Sequence, residues 1–129
     1  MVRVAGNVVD DVVAASIEFS VPVLGAAVVL VLGHSRCGAV DAAVDVVTKS
    51  AQLPGHLPGL AAAIAPAVTA AQAQPGDLLT NAIAANVARG VATLSAPSSL
   101  LAPKLAAGQV AVVGGSYDLD TGVVSLLGK

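Results

Sequence analysis

The sequence predicts an α/β fold: a mostly parallel β-sheet flanked by helices, with a strand pair at the C-terminal end. Three observations carry this. Residues 26–32 form an unbroken apolar run, the pattern of a central parallel strand covered on both faces. Apolar residues recur at helical spacing on either side of that run. Near the end, a second apolar run from Gln109 is followed by the turn residues Asp118-Leu119-Asp120-Thr121-Gly122 and the short apolar stretch 123–127, which reads as a strand pair. Strands alternating with helices give an α/β layout, and no internal repeat interrupts it.

Taken in order, residues 2–4 read as a short strand stub before the Gly6-Asn7 turn. Val9, Val13, Ile17 and Val21 then recur on one helical face, with Asp10 or Asp11 as the cap and Pro22 and Gly25 as the stop. After the central strand, Val40, Val44 and Val47 share one side of a helix over residues 39–47, with Asp41 and Asp45 on another. The stretch 52–59, rich in Pro and Gly, reads as a surface loop. Residues 60–74 read as a helix interrupted or kinked at Pro66. Residues 78–94 read as a longer helix, and a short one runs from Ser98 or Ser99 to Ala107, closed by Gly108. The strand from Gln109 runs to Tyr117.

A chain of 129 residues with 56% hydrophobic content fits one domain, residues 1–129. The apolar content is mostly Ala and Val, with one Phe, one Tyr and no Trp, so helices must pack closely on the sheet. A mean hydropathy of +0.86 raises the question of a membrane. The run 26–32 falls well short of the roughly 20 apolar residues that a span requires, and Met1-Val2-Arg3-Val4 lacks the pattern of a signal peptide. The expectation is a cytoplasmic protein without membrane segments. Net charge is −2, with six Lys and Arg spread along the chain, which offers no basic stripe for nucleic acid. Low charge with high hydropathy predicts an apolar face covered by something else, a partner subunit or a further segment.

The densest chemistry lies in His34-Ser35-Arg36-Cys37-Gly38, where the single cysteine of the chain follows a histidine by three residues at the end of the central strand. Imidazole and thiolate both suit Zn²⁺, and a strand-to-helix turn can aim two such side chains at one point. A free cysteine also reads simply as an inert core residue. Two other readings fail on the residues themselves. A Cys-x₅-Arg phosphatase loop would need Arg where Ala43 stands, and a nucleotide P-loop would need Lys and Ser or Thr where Ala39-Val40 stand. A His34/Cys37 nucleophilic dyad has no identifiable third residue to orient it.

With its flanks, Val31-Leu32-Gly33-His34-Ser35-Arg36-Cys37-Gly38-Ala39-Val40 resembles the second zinc-ligand motif of the β-class carbonic anhydrases. The resemblance extends through Val2-Arg3-Val4-Ala5-Gly6-Asn7, Ser16-Ile17-Glu18-Phe19, Asn86-Val87 and the closing residues 112–122, and weakens only between Thr48 and Asp77. It implies a β-carbonic anhydrase-like fold and reversible hydration of carbon dioxide to bicarbonate, in which Zn²⁺ brings the pKa of bound water to about 7. It implies His34 and Cys37 as metal ligands and a homo-oligomer. The family also carries an earlier Cys-x-Asp-x-Arg motif, which this sequence lacks, so the resemblance implies a chain that is N-terminally truncated relative to the family.

Catalytic zinc generally takes three protein ligands and one open position, and His34 with Cys37 makes two. Replacement donors in the sequence are His56, Asp41 and Asp45. His56 lies in a Pro/Gly loop and reads as solvent-exposed, and the two aspartates read as a solvated helix face. Arg36 reads as an attractor for bicarbonate or as a surface arginine at a turn. The N–H groups at Gly38 and Ala39 open a helix and suit a thiolate or an anion. Phe19 reads as the wall of a carbon dioxide pocket or as core, and Tyr117 and Asp118 as structural. The expectation is thus a zinc lyase by ancestry with impaired activity. The alternative is a non-catalytic remnant that serves as an oligomerising or scaffold domain.

Overall fold

The apolar run at the centre of the sequence forms β1, Val28–His34, in a computed structural model that describes residues 1–128. β1 pairs in parallel with β2, Ala111–Tyr117, in a register that sets Val28 beside Ala111 and His34 beside Tyr117. β2 pairs antiparallel with β3, Val124–Leu126. The sheet order is β1-β2-β3, so the parallel pair and the C-terminal antiparallel strand stand as the sequence predicts. Residues 2–4 form no strand. They precede a 3₁₀ turn at Ala5–Asn7, and no ladder joins them to a strand.

Five helices complete the described residues: α1 Asp11–Leu24, α2 Gly38–Lys49, α3 Leu57–Ala71, α4 Leu78–Leu94 and α5 Ala102–Ala106. Asp10 is the cap of α1, its carboxylate accepting from Val13 N at 2.8 Å, and Gly25 closes the helix in the left-handed region at φ 69°. Pro22 sits within the last turn rather than ending it. α3 begins inside the predicted loop, with Pro58 in its first turn where a missing N–H costs nothing. It runs through Pro66 because Ile64, Ala67 and Val68 on its buried face are fully packed. α5 is shorter than predicted. The turns before it are tied to α1 instead, Glu18 Oε1 accepting from Leu100 N at 2.9 Å and from Ser99 Oγ at 3.1 Å.

Two apolar clusters form the core. One gathers Val40 and Ala43 of α2, Ala61, Ile64 and Val68 of α3, and Ala82 and Ile83 of α4, with Cys37 among them. The other gathers Val21, Val31, Val87, Leu94, Leu101 and Val110 under the sheet. α4 lies close against the sheet because glycines clear its path. A Cβ on Gly33 would meet Val87 Cγ2 at 2.7 Å, and one on Gly114 would meet Val87 Cγ1 at 2.9 Å.

The opposite face of the sheet departs from expectation. The run 26–32 predicts cover on both sides, yet Val28 is 61% exposed and Leu30 42%, with Leu32, Val124 and Leu126 also open. Strand alternation puts these residues on the face turned away from α4, and no element of the described residues covers it. No helix among the described residues is long and apolar enough to cross a membrane.

Candidate metal site at the turn between β1 and α2

β1 delivers His34 to the end of the sheet, Ser35 and Arg36 make the turn, and Cys37 becomes the N-cap of α2 with its backbone extended at φ −65°, ψ 111°. Cys37 makes no side-chain cap hydrogen bond, so its sulfur is not engaged in holding the helix. It is 3% exposed and belongs to the apolar cluster that includes Val40 and Ile64. His34 is half-buried, and its Nδ1 lies 2.9 Å from the Ser35 carbonyl oxygen. A carbonyl can only accept, so this contact is a hydrogen bond in the tautomer that carries its hydrogen on Nδ1, which leaves the lone pair on Nε2. This is the arrangement that orients imidazole as a metal ligand.

Gly38 and Ala39 open α2, and their amides belong to the first turn, where N–H groups have no intrahelical partner. Arg36 holds a left-handed backbone at φ 54°, an unusual conformation for a residue with a Cβ. Its guanidinium is engaged by Asp120, with Nη1 donating to Oδ2 at 2.6 Å and Nη2 to Oδ1 at 2.8 Å. That bidentate pair holds the Asp120 carboxyl below its ordinary range, by hydrogen bonding first and charge second. Both side chains are largely exposed. The geometry gives Arg36 a fastening role at the turn.

The rest of this fastening was not visible in the sequence. Ser35 Oγ accepts from Leu119 N at 3.0 Å, and the Asp118 carboxylate accepts from Asp120 N at 2.7 Å and Thr121 N at 3.1 Å. The turn after β2 is thus clasped to the turn after β1, beside His34 and Cys37. Sequence spacing registers a turn at residues 118–122, but partners more than eighty positions apart leave no local signal.

The other candidates lie elsewhere. His56 is the exposed N-cap of α3. Asp45 pairs with Lys49 at 2.7 Å on the outer side of α2, and Asp41 is exposed on the same helix. Phe19 is 58% exposed on α1, so it packs into neither core cluster. Among the described residues, no group of three or more His, Cys, Asp or Glu side chains is placed to hold a metal ion. His34 and Cys37 fit zinc by donor type, and the set falls one short of the three protein ligands of a catalytic site.

Comparison with known proteins adds a family. The model of the carbonic anhydrase family matches residues 1–124. Carbonic anhydrase 2 of Mycobacterium tuberculosis is 35% identical over 122 residues, which cover 95% of this chain and 59% of that protein. A carbonic anhydrase of Mycolicibacterium smegmatis is 34% identical over 126 residues, covering 98% of this chain and 61% of that protein. Among solved structures, a tetrameric β-carbonic anhydrase from Sordaria macrospora superposes with a TM-score of 0.81 at 21% identity, over 97% of this chain and 66% of that one. The β-carbonic anhydrase CafA of Aspergillus fumigatus gives 0.79 at 26% identity, over 98% and 62%. This chain therefore spans about three-fifths of the length of the relatives it matches.

Proposed function

The chain belongs to the β-carbonic anhydrase family, and from that premise we propose that it carries part of a zinc site for reversible hydration of carbon dioxide to bicarbonate. His34 Nε2 and Cys37 Sγ are the two donors. The observation that carries the reading is the placement of His34 and Cys37 at the two ends of one tight turn, with His34 Nδ1 at hydrogen-bond distance from the Ser35 carbonyl and the Cys37 sulfur free of any capping bond. Two donors do not make the catalytic set. The third is supplied from outside residues 1–129, and no reaction step is assigned to this chain alone.

Cobalt(II), which takes the same ligands as zinc and is coloured, tests the donor assignment. Titrated into the protein, it is expected to give a near-ultraviolet thiolate-to-metal band that Cys37→Ser abolishes and His34→Ala weakens. Identical titrations of the parent and Cys37→Ser proteins would refute the assignment.

A second reading is favoured by one observation. The open face formed by Val28, Leu30, Leu32, Val124 and Leu126 suits a chain that works as an oligomerising or scaffold domain without catalysis. Folded, associated protein that takes up neither cobalt nor zinc would select that reading.

A further inference from the structure

Two residues separate His34 from Cys37, and both are fastened to the turn that follows β2. Ser35 N donates to Tyr117 O at 2.9 Å, one step beyond the end of β1, and Ser35 Oγ accepts from Leu119 N at 3.0 Å. Arg36 donates twice to the Asp120 carboxylate, at 2.6 and 2.8 Å. The carbonyl of Ser35 is also the group that stands 2.9 Å from His34 Nδ1. Whatever holds Ser35 therefore reaches the imidazole, and whatever holds Arg36 reaches Cys37 through one peptide bond.

The turn doing the holding is closed on itself. The Asp118 carboxylate accepts from Asp120 N at 2.7 Å and from Thr121 N at 3.1 Å, Gly122 N donates to Asp118 O at 2.8 Å, and Asp118 N donates to Val123 O at 2.9 Å. Gly122 takes the left-handed region there at φ 72°. Arg36 needs such an anchor, because it stands at φ 54°, where a residue with a Cβ is held at a cost. Any other φ at Arg36 would redirect the chain that follows and carry Cys37 away from His34. An exposed ion pair contributes little by attraction alone. A bidentate one fixes direction as well as distance, and here it adds to the two bonds at Ser35.

We propose that Asp120 is a positioning residue for the metal donors, an inference that rests on the assignment of His34 and Cys37 to that role. By keeping Arg36 left-handed, Asp120 sets the spacing of imidazole and thiolate before any metal arrives. It touches no metal itself. Partners that orient ligands from behind typically change metal affinity by roughly 10–100-fold when removed.

Cobalt(II) titrated into the metal-free 129-residue protein, followed by its thiolate band, is the first readout. Asp120→Ala is expected to weaken binding by about fivefold or more, the factor that corresponds to the cost of a left-handed residue, in protein that circular dichroism shows to be folded. Adding Arg36→Gly to Asp120→Ala is expected to restore most of the loss, because glycine takes the left-handed region without an anchor. Asp77→Ala, which removes the cap of α4 and no bond to the turn, lowers stability and is expected to leave the cobalt midpoint unchanged. NMR of the metal-free protein is the second readout. Arg36 is expected to show the strong HN–Hα cross-peak of a positive φ in the parent and to lose it in Asp120→Ala. Equal cobalt midpoints for parent and Asp120→Ala would overturn the proposal alone, as would an unchanged cross-peak or a failure of Arg36→Gly to rescue. A parent protein without the thiolate band would overturn the donor assignment and the proposal with it.

Discussion

Cys37 and Asp120 illustrate how differently single residues report on this turn. The Cys37 side chain is buried in the apolar cluster that includes Val40 and Ile64, so serine in its place puts a hydroxyl among apolar neighbours. The expected cost is about 1–3 kcal/mol, measured by urea unfolding, together with loss of the cobalt band. Asp120 acts through charge. Its folded-state pKa is depressed by Arg36, so its contribution is complete above the ordinary carboxylate range and disappears as pH falls through the depressed value. Asp120→Asn is therefore expected to lower the melting temperature at neutral pH and to converge with the parent in acid. A difference that persisted unchanged into acid would contradict that role. The His34/Cys37 pair was legible in the sequence because it is local, whereas the clasp of Ser35 and Arg36 to Leu119 and Asp120 needs the fold to bring the partners together.

Helices and strands were legible to the extent that their own residues decide them. α4 stands at the predicted residues 78–94 because its apolar spacing and the Asp77 cap, which accepts from Thr80 N at 2.8 Å, agree. The stub at residues 2–4 fails as a strand because a strand exists only with a neighbour, and α5 shrinks because Glu18 captures the turns before it. The small-residue composition predicts close helix-on-sheet packing, and Gly33 is where it is tightest. A Cβ there meets Val87 Cγ2 at 2.7 Å and Ile83 Cγ2 at 3.3 Å, and Val87 is fully buried and stiff about χ1. Gly33→Ala is expected to destabilise the protein by about 1–3 kcal/mol in chemical unfolding. A neutral or stabilised Gly33→Ala protein would mean that α4 can move away from the sheet freely.

Over the whole molecule, the high hydropathy and low charge predict an apolar face covered by something beyond this chain, and the structure shows an open apolar face on the side of the sheet away from α4. Parallel sheets are ordinarily covered on both faces, so the protein is expected to self-associate as concentration rises in sedimentation velocity. Leu30→Lys with Leu126→Lys, both on that face, is expected to shift it toward monomer. A parent protein that stays monomeric throughout would show that the face tolerates water. The metal site raises the same question of completeness, since His34 and Cys37 are two donors where catalysis takes three. Zinc per chain and carbon dioxide hydration, measured together on the gel-filtered 129-residue protein, decide it. The expected result is zinc well below one per chain and hydration no faster than the uncatalysed rate. One zinc per chain with hydration that Cys37→Ser abolishes would contradict the account, because a third donor would then lie within these residues.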